Sequence, residues 1–403
     1  MPSARTSFLS SPIAVCSAGA LSLAVAMGIG RFAFTPMLPL MVRDGQLDLA
    51  WGGWLAAANY AGYLLGALSA SRLDWSATRL AFIALLLTAA LTAAMAWPGV
   101  PLLWIVLRLV AGICSAWAFV ATSVWCLGAL TVLQRPGWSS AVYAGVGIGI
   151  AAAGLLCLAR GAAGVSAGSI WIELALLALV LIVPIVAVLR ATGTDAAPRA
   201  VHAAAGGAVG GTAGLIVCYG LLGFGYILPA TFLPVMARTV VDDPRLFGLA
   251  WPVFGATAAF STLAAGWWLR RASRIRVWAA SHVLMGAGVA LPALWLNAYT
   301  VAASALAVGG TFMIATMAGI QEIRARASGD PTALVGRMTA AFAIGQIAGP
   351  IAASSLLYWP ALRDAGLQFA LFAGAAGLAL SAAWLWRAQV PSSLDPKEFA
   401  HVR

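Results

Sequence analysis

Apolar runs of about 20 residues, separated by short polar segments, recur along the whole chain. Each run is long enough to cross the hydrocarbon core of a bilayer as an α-helix. The runs predict twelve membrane helices, at residues 13–41, 49–71, 78–97, 101–133, 138–158, 168–189, 212–237, 247–269, 277–295, 301–323, 333–358 and 366–386. The pattern therefore indicates an all-α membrane protein.

The first predicted helix contains an unusual stretch, residues 28–41, in which Arg31 lies among apolar residues, glycines and prolines. A similar stretch occurs 195 positions later, at residues 223–236, with Tyr226 in the position of Arg31. An arginine at the centre of a membrane helix costs roughly 2.5–3.5 kcal/mol on insertion scales, so it usually faces protein or water and carries function. Arg31 is therefore the first candidate for a functional residue.

A second set of sequence matches shares an offset of 200 positions. The matches are Leu-Ala-Trp at 49–51 and 249–251, Gly66 and Gly266, Gly145 and Gly345, and Gly149 and Gly349. Together with the match between residues 28–41 and 223–236, they indicate a parallel duplication. We expect two pseudo-symmetric six-helix bundles at residues 1–189 and 212–387, joined by a cytoplasmic linker at 190–211 and followed by a cytoplasmic tail at 388–403.

Composition and charge narrow the class of protein. Hydrophobic residues make up 62% of the chain and charged residues 9%, against about 45–50% and about 25% in soluble domains. The net charge of +11 does not indicate nucleic-acid binding, because the basic residues lie between apolar runs and form no basic face. With both termini in the cytoplasm, sixteen of the 23 Lys and Arg residues lie inside and five outside, as the positive-inside rule predicts.

The sequence shows little sign of enzyme chemistry. The five cysteines all lie inside apolar runs and form no CxxC pair, which is typical of packing residues. Three scattered histidines do not predict a metal site, and no nucleophile–base set is visible. The glycine-rich run 145–149 lies within a predicted membrane helix without a preceding strand, so we interpret it as close helix packing rather than a dinucleotide loop. We expect no cofactor and no metal.

Several motifs resemble those of the major facilitator superfamily. Residues 266–276 are similar to that family's loop signature, although Arg270 stands where the family has an aspartate and Ser273 where it has a second glycine. Arg108 and Gly112 are similar to its Arg-x-x-x-Gly pattern.

Residues 345–350 are similar to the same superfamily's glycine-proline signature, and the run 28–41 resembles the YbfB/YjiJ-like transporters, a bacterial branch. The resemblance implies a secondary transporter of the inner membrane in which helices 1, 4, 7 and 10 line a central cavity. The two bundles of such a protein rock about a site at the membrane midplane. We expect a monomer in the lipid bilayer that moves a small-molecule substrate.

Arg31 and Thr35 share one face of the first helix, above small residues that leave room for the guanidinium. In the resembling fold this face meets the cavity, where Arg31 would bind a carboxylate or phosphate group. The alternative is a structural arginine bonded to a carbonyl or to a buried glutamate. Tyr226 is the second candidate, and the weaker substrate-binding candidates are Tyr60, Tyr143 and Gln346.

Glu322 and Arg108 are candidates for proton coupling. A buried carboxylate at Glu322 could carry a proton, but Arg324 and Arg326 are close, which makes a salt bridge at least an equal alternative. Arg108 has the same two interpretations, coupling or substrate contact on one side and structural pairing on the other. We expect Glu173 to pair with Arg160 or to reach the membrane interface.

The sequence thus predicts a secondary active transporter that moves a small organic anion by alternating access, and it leaves proton coupling open. A proton-coupled drug efflux carrier is the alternative within this class. From a different class, a transport-inactive membrane sensor with the same fold stays open, since the loop signatures depart from the family pattern. An intramembrane enzyme is disfavoured.

Overall fold

A computed structural model of the chain describes residues 8–388 apart from 98, 100, 193–211, 241–242, 244–247, 270, 327–331 and 363–364. The predicted linker from residue 193 onward and the predicted tail from residue 389 onward lie outside the described residues. Residues 190–192, which were expected to begin the linker, instead end a helix.

The described chain is helical. Its long helices, numbered in chain order, are α1 Pro12–Arg43, α2 Leu49–Ser69, α3 Ala77–Ala94, α4 Pro101–Val132, α5 Ser139–Ala162, α6 Ala167–Thr192, α7 Thr212–Val240, α8 Ala250–Trp268, α9 Arg274–Leu294, α10 Ala298–Ala325, α11 Thr332–Tyr358 and α12 Gly366–Arg387. Their ends lie within four positions of those predicted from hydropathy.

Ten of the described helices are long and apolar enough to cross a membrane, and α2 and α8 are outside that set. The helix α2 has 21 residues, but glycines, Asn59, Tyr60 and Tyr63 make it less apolar than a run of leucines. The stretch of α8 that qualifies as apolar is the shorter Ala250–Ala265.

Polar side chains satisfy the first amides of several helices, which explains where these helices begin. Ser11, Asp48 and Ser76 each accept a hydrogen bond from the backbone three residues later, at the starts of α1, α2 and α3. Asn297 and Thr300 form a reciprocal capping box at the start of α10. Such caps replace hydrogen bonds that helix termini lack.

The helix α1 is not a uniform α-helix. Residues Ala24–Phe32 form a π-helix between the α-helical segments Pro12–Leu23 and Phe34–Arg43. Hydrogen bonds in a π-helix run from residue i+5 to residue i, so the partner of the Arg31 carbonyl would be the amide of residue 36. Pro36 has no amide hydrogen. The carbonyl of Arg31 is therefore available to another donor.

Glycines let neighbouring helices approach closely, as the run 145–149 predicted. A Cβ added to Gly28 on α1 would collide with the backbone of Gly149 on α5. One turn away, a Cβ on Gly145 would meet the backbone of Ala20. The pair Gly345 and Gly220 approach in the same way on α11 and α7, and both positions are offset by 200 residues from Gly145 and Ala20.

The first six and last six helices touch directly where α1 and α7 end. Thr35 Oγ1 donates to the Ala230 carbonyl at 2.7 Å, and Arg238 Nη1 donates to the Pro39 carbonyl at 2.6 Å. Residues 34–41 of α1 are all buried. We call this end of the assembly the far face, and the end at which α1 begins the near face. The near face also contains the start of α5, since Cys16 Sγ lies 3.9 Å from the Trp138 carbonyl oxygen.

The loop after α1 ties the far face to α6. The Asp44 carboxylate accepts hydrogen bonds from Arg43 Nε at 2.7 Å and from the Ala167 amide, the first of α6, at 2.6 Å. Partial burial disfavours the charged carboxylate, but these hydrogen bonds and the charges of Arg43 and Arg238 outweigh it. The pKa of Asp44 is consequently below its usual value.

Candidate functional site

Arg31 lies in the interior of the protein, in the π-helical part of α1, with 3% of its surface exposed. Its Nη2 donates to Gln346 Oε1 on α11 at 2.8 Å. Its Cζ lies 4.0 Å from the ring centroid of Tyr63, 5.0 Å from that of Tyr60 and 5.1 Å from that of Phe32. Aromatic faces attract a cation at these distances. The guanidinium therefore faces neither lipid nor the membrane surface.

Gln346 connects Arg31 to Tyr226. The Gln346 Nε2 atom donates to the Tyr226 hydroxyl on α7. The Tyr226 ring is stacked between Phe312, at a centroid distance of 5.4 Å, and Phe342, at 5.6 Å. The structure thus brings together three residues that sequence had proposed separately, on three different helices.

A series of neighbouring aromatic rings leads from the Tyr226 stack back to α1. Phe312 on α10 stacks on Phe254 of α8 at 5.6 Å, and Phe254 stacks on Trp251 at 4.8 Å. Trp251 in turn lies 6.4 Å from Phe32, which neighbours Arg31. Sequence reasoning missed these aromatic residues as part of the site. The signal for Trp251 was its match to Trp51 at the offset of 200.

Arg108 stabilises the backbone that carries Arg31. Its Nη1 donates to the Gly30 carbonyl at 3.2 Å, and its Nη2 donates to the Arg31 carbonyl at 2.9 Å. The second of these carbonyls is the one that Pro36 leaves without a π-helical donor. The guanidinium also lies 4.8 Å from the centroid of Phe34. This geometry favours the structural interpretation of Arg108.

The other predicted binding residues contribute unequally. Thr35 is engaged with Ala230 across the far face, and the Tyr60 hydroxyl lies 3.3 Å from Thr231 Oγ1. The ring of Tyr60 nevertheless contacts Arg31. Tyr143 is farther away, since its hydroxyl donates to Ser123 Oγ at 3.1 Å and the Phe119 ring separates it from Tyr63.

Glu322 lies apart from the Arg31 group. Its carboxylate accepts from Arg326 Nε at 2.8 Å and lies 3.4 Å from Arg274 Nε. These contacts favour the salt-bridge interpretation over proton transfer, and Arg326 is one of the two arginines that the sequence places close to Glu322. Glu173 pairs with Arg160 at 2.7 Å, as expected.

The charges of the site are not balanced by carboxylates. The only acidic residues in the sequence segments of α1–α12 are Glu173 and Glu322, each paired with arginine near a helix end. Arg108 donates from both Nη atoms to carbonyl oxygens, and Arg31 donates from Nη2 to one amide oxygen. The Nε atoms of both arginines have no acceptor among the described residues. A guanidinium with a vacant donor and no counter-charge is suited to bind an anion.

Metal and cofactor binding find no support in the described residues, where no group of three or more His, Cys, Asp or Glu side chains lies together. His282, for example, is buried between α9 and α12. Its Nε2 accepts from Trp278 Nε1 at 2.8 Å, and its Nδ1 lies 2.9 Å from Ser381 Oγ. These contacts explain it as a packing residue.

Comparison with known proteins identifies the fold and a family. Residues 23–385 match the family model described as "Uncharacterised MFS-type transporter YbfB". A D-xylose-proton symporter has a similar structure (TM-score 0.70, 11% identity, 95% of this chain and 98% of that chain covered), as does a mutant of the nucleoside transporter NupG (TM-score 0.67, 14% identity, 92% and 99% covered). At these identities the likeness shows the fold alone. None of the curated proteins matches the chain in sequence.

Proposed function

We propose that this chain, which belongs to the family of MFS-type transporters described by the name YbfB, is a secondary active transporter of a small organic anion. The family match confirms the resemblance seen in the run 28–41 and the assignment as a transporter rather than an enzyme. The anion preference is an inference from the site, since the solved relatives are named for a nucleoside and for D-xylose.

The state of Arg31 is the observation that carries the proposal. A guanidinium at this depth costs roughly 2.5–3.5 kcal/mol to place in a membrane helix. Aromatic rings and one amide oxygen compensate part of that cost, and no carboxylate of the spans is nearby to compensate the rest. A carboxylate or phosphate ligand supplies the missing charge and matches the planar donor fork of arginine. A cationic drug would be repelled, so an efflux carrier for cations is disfavoured.

We propose that α1–α12 are twelve membrane spans in two six-helix bundles, residues 1–189 and 212–387, with both termini in the cytoplasm. The shared glycine approaches at an offset of 200 residues support this division. The hydrogen bonds of Thr35 and Arg238 would then close the outer side of the site, and rocking of the bundles would break them. Access from the cytoplasmic side is supported by the partial exposure of Tyr63 beneath Arg31.

We do not assign Glu322 a role in coupling transport to a proton gradient. Two arginines, Arg274 and Arg326, pair with the Glu322 carboxylate. Protonation of Glu322 would break these two ion pairs, and neither of them involves Arg31 or its contacts. Arg108 cannot exchange a proton near neutral pH, since arginine stays protonated. Coupling would therefore use the substrate's own ionisation or exchange for a second anion.

The test is a thermal-stability screen of the purified protein against organic anions, followed by uptake into proteoliposomes. Wild type, Arg31→Ala and Arg160→Ala are compared, the last being a matched loss of charge at an exposed pair. We expect anion-induced stabilisation and saturable uptake in wild type and Arg160→Ala, and neither in Arg31→Ala. Equal uptake by Arg31→Ala would overturn the anion site, and the absence of saturable transport of any solute would favour the sensor.

A further inference from the structure

The surface beside Arg31 is aromatic. Tyr63 is only partly buried, although Arg31 and Tyr60 next to it are buried. The Tyr63 ring is followed by Phe119 on α4 at a centroid distance of 6.5 Å, and Phe119 by Tyr143 on α5 at 5.8 Å. These three rings are all partly exposed. Since Tyr143 lies near the start of α5, they lead from Arg31 toward the near face.

A second aromatic surface comes from the last six helices. Phe342 on α11 is partly exposed. One side of its ring is stacked on Tyr226, and Tyr219 lies 5.1 Å from its centroid. The Arg31–Gln346–Tyr226 chain joins this surface to Tyr63, because Tyr63 packs against the guanidinium. Tyr63 thus contacts the guanidinium directly, and Phe342 is linked to it through Tyr226 and Gln346.

Polar groups are few on these two surfaces. The Tyr143 hydroxyl is bonded to Ser123, and the Gln346 amide is engaged by Arg31 and Tyr226. A polyhydroxylated solute would lose hydrogen bonds to water and regain few of them here. A flat aromatic ring would instead stack on the exposed faces, in the offset or edge-on arrangements that aromatic pairs prefer.

The free donors of Arg31 match one carboxylate group. Arg108 uses both Nη atoms on the carbonyls of Gly30 and Arg31, and only its Nε has no acceptor among the described residues. One N–H cannot form the paired hydrogen bonds that a guanidinium gives a carboxylate, so Arg31 is the better partner for a ligand. Arg31 offers its unpaired Nε together with Nη2, whose bond to Gln346 a carboxylate could share or replace.

We infer that the substrate is an aromatic carboxylate, which pairs with Arg31 and stacks its ring on Tyr63 and Phe342. This inference rests on the proposed function, which requires only that the substrate be an organic anion. It is more specific in two respects. It assigns recognition of the substrate's ring to Tyr63 and Phe342, and it excludes sugars as substrates.

The experiment compares benzoate, cyclohexanecarboxylate and acetate, which carry one carboxylate on an aromatic ring, a saturated ring and a methyl group. Binding to the purified full chain is measured by thermal shift, and uptake is measured with radiolabelled benzoate in proteoliposomes. We expect benzoate to bind about tenfold more tightly than cyclohexanecarboxylate. Acetate should bind more weakly than either. Succinate, phosphate and D-xylose complete the panel.

Variants separate ring recognition from charge recognition. We expect Tyr63→Leu and Phe342→Leu to bring the ratio of benzoate to cyclohexanecarboxylate affinity toward one, while Tyr63→Phe keeps the wild-type ratio. Phe369→Leu, at an exposed aromatic position on α12, is the control that keeps the ratio unchanged. Because the readout is a ratio of two ligands on one protein, a general loss of stability does not mimic the effect.

The outcomes distinguish this inference from the proposed function. Equal affinity for benzoate and cyclohexanecarboxylate, or Arg31-dependent binding of succinate or phosphate without benzoate, overturns the aromatic inference and leaves the anion transporter intact. Benzoate binding that is unchanged in Arg31→Ala overturns both. A selective benzoate response that Arg31→Ala abolishes supports both.

Discussion

Replacing Arg108 by alanine is expected to destabilise the folded protein strongly. Arg108 is 2% exposed and donates to the carbonyls of Gly30 and Arg31 at 3.2 Å and 2.9 Å. A hydrogen bond to a charged group contributes about 1.5–3 kcal/mol, so the loss of two gives roughly 3–6 kcal/mol. The two carbonyls stay buried after the substitution, because the methyl group of alanine reaches neither of them.

The assay is the free energy of unfolding of the purified protein, measured by denaturant titration in micelles. Arg108→Lys is expected to lie between wild type and Arg108→Ala, since one ammonium group replaces a planar fork that reaches two acceptors. Arg160→Ala removes an arginine from an exposed ion pair with Glu173 and should cost about 0–1 kcal/mol.

Transport of a gradient-driven anion by the same variants decides between the two roles of Arg108. If its role is structural, the fraction of Arg108→Lys that stays folded keeps the wild-type pH dependence of uptake. The reasoning is refuted by two results together. The free energy of unfolding of Arg108→Ala would lie within about 1 kcal/mol of the wild-type value, a loss no larger than that of a surface ion pair, and its uptake would no longer respond to a proton gradient.

Three further predictions follow from contacts at the helix interfaces and ends. Gly28→Ala should lower the free energy of unfolding by about 1–3 kcal/mol, because its Cβ would collide with Gly149, whereas Gly128→Ala, with no atom within 4 Å, should not. Asp44→Asn should lower the melting temperature at neutral pH. Because the folded-state pKa of Asp44 is lowered, its contribution is present above about pH 3.9 and lost as the pH falls through the folded value, so the melting curves of variant and wild type should converge in acid. Glu322→Gln should keep gradient-driven uptake of the anion in proteoliposomes, and a loss of that uptake with retained exchange would restore Glu322 as the proton carrier.

Hydropathy was sufficient for most of the described helix ends, because a helix in a bilayer must satisfy its own backbone and must match the thickness of the hydrocarbon core. It could not predict the π-helix in α1. A π-helical turn depends on the side chains that contact its backbone. Here Arg108, 77 positions away in the sequence, donates to the carbonyl of Arg31. That pairing depends on the tertiary structure.

Part of the candidate site could be proposed from the sequence. The cost of a buried guanidinium identified Arg31, and its internal position agrees with that reasoning. Gln346 was only a weak candidate, because amides in membrane helices often just join neighbouring helices. Trp251 and Phe312 were missed, since an aromatic residue in an apolar helix has the same sequence signal whether it lines a site or fills the core.

The hydrogen bond from Arg31 to Gln346 links α1 to α11 and therefore crosses from one half of the sequence to the other. A ligand that takes the guanidinium replaces an acceptor that the protein itself provides, so its measured affinity is the difference between two attractions. Even the true substrate would then bind weakly, because it competes with Gln346 for Arg31. The same competition would break the hydrogen bond between Arg31 and Gln346 when the substrate binds. The two halves would then be freer to move relative to each other in the substrate-bound protein than in the empty one.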